Sequence, residues 1–127
     1  MTAPKSFALT HVLSHEWERV QHLRDYRAGR LSRDEVCDAD FLLRAAAEHH
    51  GVDGTRPCPI CEGPLRLTRW VYGDNLGRRS GSARSVKEIA DFIEEVGEFT
   101  VHLVEVCPQC RWNHLLASAT AYRPAAR

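Results

Sequence analysis

The sequence predicts an α+β fold in which two N-terminal helices pack beside an antiparallel sheet that carries one inserted helix. Apolar residues recur at helical spacing before residue 50, two C-x-x-C turns lie beside strand-like segments after residue 57, and an amphipathic segment separates those turns. We therefore expect a helical N-terminal segment over 1–55 and a sheet-containing domain over 56–127, with a basic loop and a helix inserted at 73–97.

Composition restricts the classes of protein to consider. The 127 residues include 17 basic and 17 acidic side chains, which fits one domain or two very small ones and excludes a multidomain enzyme. No apolar run approaches the ~20 residues that a membrane helix needs, and histidines and a glutamate interrupt the apolar stretch that a signal peptide requires. The sequence thus predicts a cytoplasmic protein with no membrane partner.

The first predicted helix follows a loose tail at 1–5 and ends near Gly29. Its apolar positions are Leu9, Leu13, Trp17, Val20 and Leu23. They recur every three or four residues, as one face of a helix does. We expect Leu13, Trp17 and Val20 to be buried against the second helix.

The second predicted helix begins at Ser32, which forms a capping box with Glu35, and reaches about His50. Its apolar stripe consists of Val36, Ala39, Leu43 and Ala46. Asp38 and Asp40 are also good N-cap residues, so one continuous helix and two shorter helices both remain open.

Strands and one further helix account for most of the second half. Strand composition or alternation occurs at 65–72, 99–106 and 115–122. A glycine-rich, serine-rich loop is expected at 73–85, with too little apolar surface to pack by itself. A capping box of Ser85 and Glu88 starts the third helix, Gly97 ends it, and residues 123–127 are expected to be loose.

The two C-x-x-C turns provide Cys58 with Cys61 and Cys107 with Cys110. Such a turn places two thiolates on one metal ion, and zinc prefers four tetrahedral ligands. The arrangement of turns and strands is typical of a zinc ribbon, which predicts one structural zinc ion with no open catalytic position. An iron–sulfur cluster and a redox dithiol remain alternatives, although both turns lead to strands rather than to a helix.

Two further side chains bear on this site. Cys37 lies on the apolar stripe of the second helix, so we expect a free, buried core residue. His114 follows the second turn closely and is a candidate for a hydrogen-bond donor to a ligand, or for a replacement ligand.

The charges are segregated along the chain. Residues 66–87 carry six basic side chains and one acidic side chain, whereas 88–98 carry five acidic side chains and no basic one. Arginines beside aromatic rings are typical of phosphate-backbone contacts with base stacking. The predicted partner surface consists of Arg66, Arg69, Trp70, Tyr72, Arg78, Arg79 and Arg84. Alternatively, the acidic helix neutralises the basic loop within the molecule.

Six motifs together resemble a family of small uncharacterised actinobacterial zinc-ribbon proteins, classed as a domain of unknown function. The motifs are VCDAD at 36–40, RPCPIC at 56–61, YGDNLG at 72–77, SGSARS at 80–85, EFTVHLVEVC at 98–107 and CRWNHLL at 110–116. The resemblance covers roughly residues 6–120. It implies that the four cysteines of the two turns are metal ligands, and it implies no activity.

These observations favour a non-enzymatic zinc-ribbon adaptor that docks on a cytoplasmic nucleoprotein machine, such as the ribosome, another RNA assembly or RNA polymerase. A zinc-responsive or redox-responsive regulator is the alternative. A small enzyme using Asp74, Asn75 or His114 near the metal has less support, because no catalytic motif accompanies these residues. No small-molecule substrate is indicated.

Overall fold

A computed structural model describes residues 6–124 of the chain; the tail expected at 1–5 and the end of the tail expected at 123–127 lie outside the described residues. The strands are β1 (Ala8–Ser14), β2 (Val52–Pro57), β3 (Pro64–Tyr72), β4 (Ser82–Ala83), β5 (Phe99–Val106) and β6 (Asn113–Tyr122). The helices are α1 (Glu16–Arg27), α2 (Arg33–Val36), α3 (Phe41–His50) and α4 (Val86–Val96), with a 3₁₀ helix at Asp74–Arg79.

One antiparallel sheet organises the described chain. Its strand order is β1-β6-β5-β3-β2, and β4 pairs with the outer part of β3. In the central register Trp70 lies opposite His102, which in turn lies opposite Ser118. The predicted strands at 65–72, 99–106 and 115–122 are therefore the three middle strands of a larger sheet.

The prediction of two N-terminal helices is wrong in its first half. Residues 8–14 form the edge strand β1, which pairs with β6, and only residues 16–27 are helical. Helix α1 buries Arg19 and Leu23, so Leu23 is the one member of the expected stripe that this helix buries. Leu13, Trp17 and Val20 are 59%, 68% and 44% exposed. Their spacing fits one face of a single helix, but Leu13 lies in β1 and the other two lie in α1.

The second predicted helix is broken, which settles the alternative that the sequence leaves open. The Ser32 hydroxyl accepts a hydrogen bond from the backbone N–H of Glu35 at the start of α2. The Asp40 carboxylate accepts one from Leu43 N–H at 2.8 Å and starts α3. Strand β2 then runs across the expected boundary between residues 55 and 56, so the N-terminal segment is not purely helical.

Two main cores lie at opposite ends of the molecule. The cysteine-end core consists of Leu23, Val36, Cys37, Cys58, Leu65, Cys107 and Trp112. The α4-end core consists of Val71, Leu76, Ile89, Ile93, Phe99, Val101 and Ala121. A smaller group, Ala39, Ala47 and Val106, packs α3 against the other face of the sheet.

The inserted segment is more ordered than a mobile loop. Leu76 is buried in the α4-end core and anchors the 3₁₀ helix there. The backbone N–H of Gly81 donates to the Val71 carbonyl at 2.7 Å, and the short strand β4 follows. The capping box of Ser85 and Glu88 at the start of α4 is confirmed, with both hydrogen bonds present.

None of the helices in residues 6–124 combines the length and the apolar character that a membrane span requires.

Candidate metal centre

Four cysteine sulfurs converge at one end of the sheet. The turn after β2 supplies Cys58 and Cys61, and the turn after β5 supplies Cys107 and Cys110. All four Sγ atoms lie within 4.8 Å of one another. The Sγ atoms of Cys58 and Cys110 are 3.5 Å apart, as are those of Cys61 and Cys107. These separations fit four thiolates around one ion with metal–sulfur bonds of about 2.3 Å.

The two turns have the same backbone pattern. In each turn the N–H four residues after the first cysteine donates to that cysteine's carbonyl, at 3.0 Å. The residues at these positions, Glu62 and Arg111, both have positive φ angles, 66° and 76°. A short polar or long flexible residue tolerates this conformation better than a β-branched one does. The chain thus builds two equivalent knuckles from unrelated flanking sequence.

Backbone N–H groups in these turns point at the sulfurs. Ile60 N–H donates to Cys58 Sγ, Gly63 N–H to Cys61 Sγ and Cys110 N–H to Cys107 Sγ, each at 3.4 Å. Hydrogen bonds of this kind stabilise thiolates, the form in which cysteine binds metal. These donors are therefore compatible with metal-bound thiolates.

Burial and hydrogen bonding act on the thiols in opposite directions. Burial raises the pKa of Cys58 and of Cys110. Burial also opposes ionisation of Cys61, but the hydrogen bond from Gly63 N–H and those from neighbouring sulfurs outweigh it and lower the pKa of this thiol. Four thiolates this close together repel one another, and a divalent cation at their centre removes that penalty.

A buried carboxylate lies two residues before Cys107, the first cysteine of the second knuckle. Glu105 is fully buried, and its Oε2 accepts hydrogen bonds from Arg19 Nε at 2.6 Å and from Trp112 Nε1 at 2.7 Å. Its Oε1 accepts one from Arg56 at 3.2 Å. Both oxygens are thus satisfied, so Glu105 is a structural anion that ties α1 and β2 to the sheet.

Arg56 extends this network to the surface. It donates to both carboxylate oxygens of Glu16, at 2.8 and 3.2 Å. The hydrogen bond from Arg56 lowers the pKa of Glu16, against a smaller effect of burial, and the same bond raises the pKa of Arg56. Sequence reasoning missed the network, although Glu105 shares the strand alternation of the inward-facing Val101 and Phe99.

His114 does not belong to the sulfur group. Its ring groups with those of His22 and Trp112, at centroid distances of 5.6 and 6.0 Å. Only cysteines form the potential metal site found in residues 6–124. The expectation that His114 replaces a ligand is therefore wrong for this arrangement of the site.

Cys37 is a fifth sulfur beside the cluster. It is free and buried, as the sequence predicts, but its Sγ lies 3.7 Å from Cys110 Sγ. Because the residue belongs to the segment between α2 and α3, no local spacing indicates that it approaches a turn 73 residues away.

The predicted partner surface is divided between different parts of the molecule. Arg66 donates to the carbonyls of Ala47 and Gly51 at the end of α3 and pairs with Asp53. Arg69 lies on the other face of the sheet, beside Leu103 and Val101. These two arginines are thus not on one surface.

The arginines of the inserted segment lie mostly against α4. Arg79 and Arg84 stack on the ring of Phe92, at 4.6 and 5.1 Å, and pair with Glu95 and Glu88 respectively. This arrangement supports the alternative in which the acidic helix neutralises the basic segment. Arg78 is exposed.

Trp70 and Tyr72 do share one face of the sheet. They line an open groove of about 460 Å³ together with His102 and Leu42 from the start of α3. The Tyr72 and His102 rings are 4.7 Å apart, and Leu42 is 73% exposed. A second open cavity, on the other side of Trp70, contains His49, His50 and Arg84. The two cavities share Leu42 and Trp70 as lining residues.

Asn75 and Asp74, the other polar residues considered as catalytic candidates, lie away from the cysteines. The Asn75 side-chain amide donates to the carbonyls of Val96 and Glu98 and fixes the end of α4. Asp74 begins the 3₁₀ helix at the opposite end of the sheet from the knuckles. Neither residue joins the cysteine group.

Comparison with known proteins identifies relatives in mycobacteria. The chain is 45% identical over 106 residues to the uncharacterized protein Rv0049 of Mycobacterium tuberculosis and to the uncharacterized protein Mb0050 of Mycobacterium bovis. The alignments cover 81% of this chain and 77% of each relative. No solved structure matches the chain. The sequence profile that matches residues 9–125 is that of a family of unknown function, DUF5318, and the chain belongs to this family.

Proposed function

We propose that the chain is a non-enzymatic cytoplasmic adaptor that holds one structural zinc ion on Cys58, Cys61, Cys107 and Cys110 and docks on a nucleoprotein assembly. The convergence of four Sγ atoms within 4.8 Å is the observation that carries the metal part of this proposal. The ribosome or another RNA assembly is the first candidate partner, and RNA polymerase is the second.

The donor set favours zinc in a structural role. Four thiolates from two knuckles are typical of closed tetrahedral zinc sites, which leave no position for a catalytic water. Two of the sulfurs, Cys58 and Cys107, are buried in the cysteine-end core, so metal binding and packing of that core support each other. An iron–sulfur cluster is the competing occupant of the same thiolates.

Metal content tests this part. Protein purified under reducing conditions is expected to contain one zinc per chain by elemental analysis. A Cys107→Ser variant should lose the zinc, whereas a Cys37→Ser variant, which also removes one buried thiol, should retain it. Absence of zinc from the wild-type protein, or full zinc content in the Cys107→Ser variant, contradicts the proposal.

The groove beside Trp70 supports the docking part. Aromatic faces that line a sheet surface stack on unpaired bases, at about 1–3 kcal/mol per base. The neighbouring cavity is lined by His49 and His50, whose ring N–H groups can donate to phosphate oxygens. We therefore retain Trp70 and Tyr72 from the predicted partner surface, together with the exposed Arg78, and assign single-stranded RNA of a nucleoprotein as the ligand.

A direct binding measurement tests the docking part. A Trp70→Leu, Tyr72→Leu double variant should bind unstructured RNA at least about tenfold more weakly, because two stacking platforms are lost. Arg78→Ala should lower the salt slope of binding by about 0.7 for one phosphate contact. Trp17→Leu, which removes an exposed ring elsewhere, is the matched control. Equal RNA binding by the double variant and wild type, or copurification of the partner unaffected by nuclease, contradicts an RNA ligand.

A further inference from the structure

We propose that Cys37 and Cys110 form an oxidative modification site, in which a hydroperoxide converts the pair into a disulfide and removes Cys110 from the metal-binding set. This inference goes beyond the adaptor function. It depends on the proposed zinc ion for two points: the choice of Cys37 over Cys58 as the partner of Cys110, and the prediction that metal is released.

The two sulfurs are already in contact. The Cys37 thiol donates to Cys110 Sγ at 3.7 Å, and closing this distance to the roughly 2.0 Å of a disulfide requires a displacement on the order of 1–2 Å. Both side chains belong to the edge of one core, the cysteine-end core. A thiol near a sulfenic acid at this range resolves it without large movement of the chain.

The backbone around Cys37 holds it in this position. Ala39 N–H donates to the carbonyl of Arg111 at 3.0 Å, and Arg111 Nε donates back to the carbonyl of Ala39 at 2.9 Å. The Asn113 amide donates to the Asp38 carboxylate at 2.8 Å. The segment that breaks the second predicted helix is thereby attached, directly after Cys37, to the residues that follow Cys110.

Exposure and metal ligation favour this pair over the other sulfurs. Cys110 and Cys61 are partly exposed, whereas the remaining three cysteines are buried. Cys61 contacts Cys107 rather than Cys37. Cys58 also lies close to Cys110, at 3.5 Å, but in the metal-loaded protein its thiolate is a ligand. Cys37 is therefore the thiol in contact with Cys110 that the metal does not use.

The chemistry is a two-electron oxidation of two thiols by one hydroperoxide. The Cys110 sulfur attacks the peroxide, so that an S–O bond forms, the O–O bond breaks and one water or alcohol leaves. The Cys37 sulfur then attacks the sulfenic sulfur, the S–S bond forms, and the S–O bond breaks with loss of water. For hydrogen peroxide, two thiols and one peroxide give one disulfide and two waters.

Peptide mapping tests the inference on the wild-type protein. Trypsin places Cys37 in peptide 34–44, Cys107 and Cys110 together in peptide 88–111, and Cys58 with Cys61 in peptide 45–66. After mild hydrogen peroxide treatment and alkylation, we expect a disulfide-linked pair of 34–44 and 88–111, with fragmentation assigning the bond to Cys110. Zinc release, followed with a chromogenic chelator, should match the crosslinked fraction and reverse with dithiothreitol and zinc.

A Cys37→Ser variant provides the control, because serine keeps a small hydrogen-bond donor but cannot form the disulfide. Peroxide should release zinc from it roughly threefold or more slowly than from wild type. Disulfides confined to Cys58, Cys61, Cys107 and Cys110 in the oxidised wild-type protein would overturn the inference, as would equal zinc release from both proteins. If the reduced protein holds no zinc, the proposed function fails, but the peptide map still decides whether Cys37 pairs with Cys110.

Discussion

The two ends of the sheet are stabilised by different kinds of interaction. The α4-end core is aliphatic and aromatic, with Ile89, Ile93 and Phe99 packed between a well-capped helix and the strands. The cysteine-end core contains three of the five cysteines and the fully buried Trp112, and Glu105 lies beside it with two arginines. The α4 end thus relies on hydrophobic burial, whereas the cysteine end requires that several buried charges be paired.

This difference indicates why a chain of this size has two kinds of core. Hydrophobic burial in a small domain gives limited stability, and a metal ion adds binding free energy that does not depend on buried area. With the proposed zinc ion and disulfide, the cysteine end should be sensitive to metal and to oxidation, while the α4 end should be indifferent to both. The predictions below test that contrast, from the largest expected effect to the smallest.

Loss of a metal ligand should have the largest effect. In Cys107→Ser, we expect the amide hydrogens of residues 58–66 and 105–114 to lose most of their exchange protection, because folding there is coupled to metal binding. The amides of α4 should keep more of theirs. Hydrogen exchange with mass spectrometry measures both regions at once, and uniform loss of protection across α4 and the knuckles would show that the two ends are not separable.

Removal of the buried carboxylate comes next. Glu105→Ala leaves Arg19 buried without its ion-pair partner and Trp112 Nε1 without an acceptor, which should lower the free energy of unfolding by about 3–5 kcal/mol. Glu105→Gln, which keeps an acceptor for the indole but no charge, should lose less. Denaturant titration measures the change, and wild-type stability in Glu105→Ala contradicts the assigned role.

A cavity at the opposite end should destabilise the protein without touching the metal. Ile93→Ala removes a side chain that is 3% exposed in the α4-end core, and we expect a loss of about 2–4 kcal/mol. The zinc content of the folded variant should equal that of wild type. Reduced zinc in this variant under native conditions would mean that the two cores form one cooperative unit.

The surface ion pair should give the smallest effect, and it depends on pH. Glu16 has a folded-state pKa below its ordinary value of 4.5, so its pairing with Arg56 stabilises the protein above about pH 4.5 and is lost as pH falls through the folded-state pKa. Because both side chains are nearly half exposed, the contribution should be at most about 1 kcal/mol. The stability difference between wild type and Glu16→Gln should therefore shrink on acidification, whereas a constant difference contradicts the pairing.

Local sequence signals were sufficient for the parts of the fold that are local. The three middle strands, the capping box of α4 and the two cysteine turns each have their defining residues within a few positions of one another. The edge strand β1 was missed, because its apolar residues also fit a helical period. Its pairing partner lies far along the chain, with Thr10 opposite Thr120.

Of the candidate site, the sequence predicted only the cysteines that the C-x-x-C spacing identifies. Two C-x-x-C turns identify four sulfurs, but nothing near Cys37 in the sequence indicates its contact with Cys110. The sequence also indicated in part that the predicted partner surface is divided. Arg69 and Trp70 are neighbours in a strand, so their side chains must point to opposite faces of the sheet. The pairing of Arg79 and Arg84 with α4 was the alternative that the charge pattern already offered.

X-ray absorption spectroscopy of the reduced, purified protein tests the central claim most directly, because it identifies the metal and counts its ligands. We predict a zinc edge and a single shell of four sulfur atoms at about 2.3 Å. A nitrogen or oxygen atom in that shell would mean that one of Cys58, Cys61, Cys107 and Cys110 is not a ligand. An iron edge, or no bound metal, would contradict the account of a zinc-stabilised cysteine end.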